Sequence, residues 1–169
     1  MNLIRPFKGL RPSRNKSAEV AAPPYDVMSY KEALNLAKDK PNSFLHISRP
    51  EIDLPEGTDP YSPEVYKQGK VNLKSLMDKD ILARDNEACF YVYRLTGHGV
   101  SQVGLVVTAS VDAYDANNIR KHEFTRPEKE DDRVRQIDEL SAQTGPVLLA
   151  YPASKAIDAI VASESAGEP

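Results

Sequence analysis

The chain has 169 residues, 40% of them hydrophobic, and its 22 Lys plus Arg nearly balance 25 Asp plus Glu, for a net charge of -3. This length suits a single domain that buries a core of its own. No apolar run reaches the roughly 18 residues of a transmembrane helix, and the first residues lack the apolar core of a secretory signal. The single Cys89 excludes an internal disulfide. We therefore expect a cytoplasmic protein without a membrane span.

Prolines and charges are unevenly distributed along the chain. Nine of the thirteen prolines lie within the first 63 residues, and none lies between Lys67 and Arg126. Because proline fixes φ and removes a hydrogen-bond donor, we expect residues 1–63 to be extended segments and turns around a short helix. Residues 1–16 carry five bases and no acid. Without a series of stacking aromatics this basic arm gives little support for nucleic-acid binding, so neither nucleic acid nor a membrane is expected as a partner.

The first half of the chain contains two predicted helices. Ser29 is a suitable N-cap for a helix over 29–38, and the apolar run over 44–48 reads as a short strand with His46 as a core histidine. A long helix is predicted over 64–81, because Val65, Gly69, Leu73, Leu76 and Met77 fall on one face and proline is tolerated at its first turn.

The second half alternates strands and helices. Residues 88–95 and 103–111 are rich in aromatic and β-branched side chains, and the glycine-rich turn between them predicts a hairpin. A helix over 127–140, a buried strand over 146–151 and a short helix from Ser154 follow. These elements predict an α+β fold, a mixed and largely antiparallel sheet with helices packed on it. We expect one domain over 1–152 and a short helix with a frayed tail over 153–169.

The densest polar stretch, over 119–140, has two interpretations. In the first interpretation, the stretch forms a solvated amphipathic helix with a capping box of Thr125 and Glu128. Its buried stripe consists of Val134, Ile137 and Leu140. In the second, the polar residues over 122–126 gather at the start of that helix, where backbone N–H groups favour an anion.

A second candidate is the stretch over 22–27, where two prolines restrict the chain around Tyr25 and Asp26. It is equally compatible with a rigid turn and with a binding site. The three histidines share no metal-ligand spacing with each other or with Cys89, so no metal site is predicted. The phosphate-loop, dinucleotide, nucleophile-elbow and zincin motifs are absent.

Several stretches occur in the order seen in a large bacterial family known as domain of unknown function ten-fifteen. They are Arg5–Pro12, Val20–Val27, Asn42–His46, Arg49–Glu51, Asp59–Tyr61, His122–Arg133 and Ala142–Pro146. The sequence resembles the amino-terminal half of that family, whose members are longer than this chain.

The resemblance implies that the matched residues form a functional surface, but it assigns them no reaction, because the family itself is one of unknown function. The family's second half carries an Asp-Gly-His-His-Arg segment similar to motifs of the ParB and sulfiredoxin superfamily, which includes nucleotide hydrolases and free-serine kinases. Some members are encoded beside serine-biosynthesis genes. This segment is absent from the present sequence, so we do not expect the chain to be active alone.

The expected function is binding of a phosphorylated small metabolite or nucleotide, linked to serine metabolism, by an enzyme of phosphotransfer or phosphate-ester chemistry. Glu123 and Asp132 are the candidate catalytic carboxylates. The candidate phosphate-binding and substrate-binding residues are His122, Thr125, Lys129, Arg133, Tyr25 and Asp26. A nucleotide is a possible cofactor. The alternative is a non-catalytic binding module that docks a protein partner or a second domain, and an exposed apolar patch near 146–151 would favour it.

Overall fold

A computed structural model of the chain describes residues 3–97, 99–122 and 124–166. In chain order, its elements are β1 (Ile4–Arg5), β2 (Leu10–Pro12), α1 (Ser17–Val20), α2 (Tyr30–Ala37), α3 (Leu45–Ser48), α4 (Pro63–Asp78), β3 (Leu82–Arg84), β4 (Tyr91–Gly97), β5 (Val100–Val106), β6 (Thr108–Ala109), α5 (Val111–Asp115), α6 (Pro127–Leu140) and α7 (Lys155–Ser165). Short 3₁₀ turns cover Tyr25–Val27 and Pro50–Asp53.

The predicted α+β class is confirmed. All strand pairs among the described residues are antiparallel, and they form three separate two-stranded sheets, β1 with β6, β2 with β3 and β4 with β5. No described helix is long and apolar enough to cross a membrane.

The chain divides into two compact units, each assembled from separate stretches of sequence. The helical unit comprises Leu10–Arg84 and Phe124–Gly145, and the hairpin unit comprises Met1–Gly9, Asp85–Glu123 and Pro146–Pro169. The first contains α1 to α4, α6 and the β2–β3 pair, and the second contains the other two sheets with α5 and α7. The domain boundaries predicted from the sequence remain a prediction.

The helical unit has a conventional apolar core. One cluster joins Val20, Ile47, Leu73, Leu76, Ile81, Leu82 and Leu140, and a second joins Ala33, Ala37, Leu45 and Ile52. The predicted face of α4 is confirmed for Val65, Gly69, Leu73 and Leu76, which are buried, but Met77 is 39% exposed. A Cβ at Gly69 would lie 2.9 Å from Cγ of Pro50, so this position within the helix needs glycine for close packing.

The predicted cap of α2 is present. The Ser29 hydroxyl accepts a hydrogen bond from the backbone N–H of Glu32, and the Glu32 carboxylate accepts one from the backbone N–H of Ser29 at 2.8 Å. This reciprocal pair satisfies two backbone donors that the first turn of a helix leaves open.

The strand predicted over 44–48 is wrong, because these residues enter α3. The backbone N–H of Ser48 donates to the carbonyl of Phe44, and that of Arg49 donates to the carbonyl of Leu45. Leu45 and Ile47 lie two residues apart and are both buried. Because this short helix is buried on several sides, its apolar residues show the alternating pattern that is typical of a strand.

The strand predicted over 146–151 is also absent. These residues have no regular structure, and Val147 and Leu148 are 77% and 82% exposed. A strand requires a neighbour for its backbone groups, and the described part of the chain offers none to this segment.

The predicted hairpin is confirmed with shifted ends. Strands β4 and β5 pair from Tyr91 with Val106 to Gly97 with Val100. The Tyr91 hydroxyl accepts a hydrogen bond from the backbone N–H of Gly9 at 2.7 Å and donates to the Asp85 carboxylate at 2.6 Å. On α7, the carbonyl of Ser165 accepts a bond from Arg94 of β4 at 3.0 Å.

Candidate functional site

The buried face of α6 is largely polar. Asp132, Gln136 and Leu140 succeed one another at four-residue intervals and therefore share one face, and Asp132 and Gln136 are only 8% and 3% exposed. The predicted apolar stripe is thus wrong in part, because Leu140 is buried but Val134 is 50% exposed. A buried carboxylate needs hydrogen-bonding partners, and the rotation of α6 that brings Asp132 to its partners leaves Val134 outside.

Asp132 joins two partners through its two carboxylate oxygens. The Tyr66 hydroxyl donates to Oδ1 at 2.8 Å, and Arg133 donates to Oδ2 from Nη2 at 2.6 Å and from Nε at 3.2 Å. Burial, together with the hydrogen bond to Asp132, raises the pKa of Tyr66 to about 12. The phenol therefore stays protonated near neutral pH and remains a donor to the carboxylate.

Gln136 fixes the same arginine from one turn further along. Its Oε1 accepts a hydrogen bond from Nη1 of Arg133, and its Nε2 donates to the carbonyl of Ile47 at 3.1 Å. The Arg133 guanidinium lies 4.5 Å from the centroid of the Tyr25 ring. Its side chain is still 32% exposed. Arg133 is therefore both oriented and accessible.

Arg49 holds the backbone around Tyr25, the residue whose ring contacts the Arg133 guanidinium. Its Nη1 donates to the carbonyls of Tyr25 at 3.0 Å and Met28 at 2.8 Å, while its Nε donates to the Glu51 carboxylate at 2.5 Å. The Glu51 side chain is buried. This pair anchors the 3₁₀ turn that carries Tyr25.

A second cation lies one turn before Arg133. The ammonium group of Lys129 donates to the Tyr61 hydroxyl at 3.1 Å and lies 5.6 Å from the centroid of that ring. Because Lys129 and Arg133 are four residues apart on α6, they share one face. We call Tyr25, Tyr61, Lys129 and Arg133 the cation cluster, with Asp132 as its buried anchor.

The structure brings together four of the eight predicted site residues, namely Tyr25, Lys129, Asp132 and Arg133. Asp26 is exposed beside Tyr25 in the same 3₁₀ turn. The Thr125 hydroxyl donates instead to Glu130 at 3.0 Å. His122 is exposed in the hairpin unit, and Glu123 lies outside the described residues.

The predicted capping box at the start of α6 is absent. The N-cap is Arg126, and no side chain caps it. The first turn carries the acidic residues Glu128 and Glu130, whose carboxylates already interact favourably with the positive end of the helix dipole. The helix start is therefore less suited to a further anion than the cation cluster on the side of the helix.

Five residues of the site were not identified from the sequence: Arg49, Glu51, Tyr61, Tyr66 and Gln136. The four-residue spacing of Asp132 and Gln136 was a usable signal for a polar helix face. Arg49, Glu51 and Tyr61 fall within stretches that carry the family resemblance, but their spacing does not indicate that Arg49 and Glu51 anchor the turn of Tyr25 or that Tyr61 contacts α6. Within residues 3–97, 99–122 and 124–166, no three His, Cys, Asp or Glu side chains converge as metal ligands.

The fold and this site define an α+β protein with a polar cluster built from widely separated stretches of sequence. A family model described as "Protein of unknown function (DUF1015)" matches residues 4–169. The chain belongs to this family, which confirms the resemblance found in the sequence. No curated protein and no solved structure gave a match.

Proposed function

We propose that the chain provides an anion-binding surface for a phosphorylated small metabolite or nucleotide. The observation that carries this proposal is the arrangement of the cation cluster, where Lys129 and Arg133 lie one turn apart beside Tyr61 and Tyr25. Two cations on one helix face suit a phosphoryl group, because arginine binds its oxygens in a bidentate manner and lysine adds a point charge.

The orientation of Arg133 supports the same proposal. Hydrogen bonds to Asp132 and Gln136 engage Nε, Nη1 and Nη2, but a guanidinium has more N–H donors than these bonds use. Holding the group in place in advance reduces the conformational entropy lost on binding. In this arrangement Asp132 positions the arginine, and its assignment as a general base remains a prediction.

The wider function follows the family resemblance. We propose phosphotransfer or phosphate-ester chemistry linked to serine metabolism, in a bacterial cytoplasm, with a nucleotide as substrate or cofactor. His122, Glu123, Thr125 and Asp26 remain candidates for this chemistry, while the described contacts favour Lys129 and Arg133 for the phosphate.

Thermal unfolding with inorganic phosphate, phosphoserine, ATP, ADP and CTP tests this proposal. At a ligand concentration of about 100 times Kd, binding to the folded state adds about 2.7 kcal/mol to the free energy of unfolding. We expect at least one phosphorylated compound to raise Tm. The Arg133→Lys variant keeps the charge but loses the bidentate geometry, so it should lose most of this increase.

The matched control is Arg135→Lys, because Arg135 lies on the same helix with an exposed side chain and outside the cation cluster. It should respond to ligand as the wild type does. The proposal is refuted if none of the five compounds raises Tm, or if both variants respond equally.

The exposed segment over 146–151 favours a second candidate function, a binding module that docks a protein partner or a second domain. Val147, Leu148, Leu149 and Tyr151 are all exposed, and consecutive exposed apolar side chains are typical of an interaction site. Val27, beside the Pro23–Asp26 loop, is exposed as well.

The variant Leu148→Asp tests whether this segment is a surface. We expect it to lower the binding of an apolar fluorescent dye and to leave Tm unchanged, because the side chain has few contacts to lose. A large drop in Tm would instead identify the segment as part of a core and would contradict the docking function.

A further inference from the structure

Tyr61 lies in a turn whose backbone is held by hydrogen bonds. Its N–H donates to the Asp59 carboxylate at 3.0 Å, and the N–H of Ser62 donates to the carbonyl of Asp59 at 3.0 Å. Pro60 restricts the backbone between them, and α4 begins at Pro63. The position of Tyr61 is therefore fixed relative to the first turn of α4.

The packing of α4 against α6 brings Tyr61 to Lys129. Tyr66 of α4 donates to Asp132 of α6 at 2.8 Å. Tyr61 and Lys129 precede these two residues in the sequence, and they form the next contact between the same two segments, with 3.1 Å between the ammonium nitrogen and the hydroxyl oxygen. The packing that buries Asp132 therefore also places the Tyr61 hydroxyl beside a cation.

The Tyr61 hydroxyl has a hydrogen bond left to donate. Its oxygen accepts the bond from Lys129, and a tyrosine hydroxyl both accepts and donates. None of the residues that the structure describes accepts a hydrogen bond from it, and Tyr61 is 43% exposed. A ligand can therefore accept this bond without displacing a partner inside the protein.

Three members of the cation cluster offer hydrogen-bond donors to a ligand. Besides Tyr61, Lys129 keeps the ammonium N–H groups that it does not give to the tyrosine, and Arg133 keeps guanidinium N–H groups. Four residues of helix rise about 6 Å, a span that two long side chains can close around one small anion. The buried Asp132 carboxylate already accepts through both of its oxygens, so it offers no acceptor to a protonated ligand.

We propose that Tyr61 determines the specificity of the cation cluster by donating a hydrogen bond to a terminal phosphoryl group of the ligand. This proposal rests on the anion-binding function proposed above and names the chemical form of its ligand. A terminal phosphoryl group has three free oxygens and a charge of about −1.5 to −2 at pH 7, which suits the three donors Tyr61, Lys129 and Arg133. A phosphodiester has two free oxygens and a single charge, so it leaves one of these donors unpaired.

Isothermal titration calorimetry of the full chain tests the role of Tyr61. The ligands are inorganic phosphate and each phosphorylated compound that raises the Tm of the wild type. Tyr61→Phe removes the hydroxyl and keeps the ring beside Lys129. Because the variant loses a hydrogen bond to a charged group, we expect Kd to rise about 10- to 100-fold. The Tm without ligand should not change, because the hydroxyl is at the surface.

The matched control is Tyr114→Phe. Tyr114 is 44% exposed, and the Lys121 ammonium lies 4.2 Å from the centroid of its ring. It therefore repeats the pairing of a lysine with an exposed tyrosine, but it belongs to the hairpin unit and not to the cation cluster. This variant should bind each compound as the wild type does. If Tyr61→Phe binds as tightly as Tyr114→Phe, the role of Tyr61 is overturned.

Competition between two small anions tests the choice of a terminal phosphoryl group. Dimethyl phosphate, a diester, should displace a bound compound far less effectively than inorganic phosphate does. Equal displacement by the two anions, or displacement by neither, overturns this choice. If no phosphorylated compound binds to the wild type, the anion-binding function itself is refuted, whereas binding that is insensitive to Tyr61→Phe refutes the present proposal alone.

Discussion

The helical unit and the hairpin unit use their apolar residues differently. Both hydrophobic clusters of the described residues lie in the helical unit. In the hairpin unit, Ala113 is the one described hydrophobic side chain that is buried. The hairpin unit is stabilised instead by the backbone hydrogen bonds between β4 and β5 and by the hydrogen bonds of Tyr91. The helical unit is therefore stabilised by burial of apolar area, whereas the hairpin unit keeps apolar area available for contact.

The buried polar side chains of the described residues lie in the helical unit as well. The helical unit buries Glu51, Asp132 and Gln136, each with a hydrogen-bonding partner. Buried polar groups stabilise less than well-packed apolar ones of the same size, and the contacts of these three residues instead hold Tyr25 and Arg133 in position. The proposed anion-binding site therefore lies in the helical unit, whereas the proposed docking segment over 146–151 lies in the hairpin unit.

The largest expected effect is a difference in the free energy of unfolding between the same substitution made in each unit. Leu45→Ala removes a side chain that is 1% exposed and should lower the free energy of unfolding by about 2–5 kcal/mol. Leu148→Ala makes the same chemical change at an exposed site and should cost less than about 0.5 kcal/mol. Urea unfolding of both variants measures the difference. Equal losses would show that the hairpin unit has a core of its own.

An intermediate effect tests the buried anchor of the cation cluster. Asp132→Ala leaves Tyr66 and Arg133 without their shared acceptor. Removal of one partner of a buried ion pair costs about 3–5 kcal/mol, and we expect about half of that because Arg133 keeps access to water. Asp131→Ala, at the exposed neighbouring position, is the control. If urea unfolding shows that Asp132→Ala and Asp131→Ala lower the free energy of unfolding equally, Asp132 does not anchor the cluster.

The smallest expected effect concerns pH and His46 in the helical unit. Its Nδ1 lies 2.8 Å from the Asp53 carboxylate, and its Nε2 lies 3.2 Å from the carbonyl of Lys40. Two acceptors favour the doubly protonated ring, and the hydrogen bond to Asp53 raises the pKa of His46 although burial opposes it. The folded state therefore holds this proton more tightly than the unfolded state.

Because the pKa of His46 is higher in the folded state, its contribution to stability is complete below the unfolded value of about 6.5. It is lost as the pH rises through the folded value. Urea unfolding at a series of pH values should show this decline in the wild type, and His46→Gln and Asp53→Asn should both flatten it. A decline that persists in both variants would assign it to other groups.

Local signals in the sequence were sufficient for much of the fold. The Ser29 cap, the apolar spacing of α4 and the glycine turn of the hairpin act over a few residues, and each predicted element is present. The bounds of α6 agree with the prediction as well. By contrast, the strand prediction over 44–48 is wrong, because a four-residue helix buried on several sides has no distinctive periodicity.

The α+β class, the main helices, the hairpin and the family could be predicted from the amino-acid sequence. The three-dimensional contacts were needed to show which face of α6 is buried, that Tyr25 and Tyr61 contact its cations, and that residues 146–151 are exposed. Capping and periodicity depend on neighbours along the chain, whereas burial depends on which distant groups offer partners. Asp132 is buried because Tyr66 and Arg133 satisfy its carboxylate, and the spacing within α6 contains no information about Tyr66.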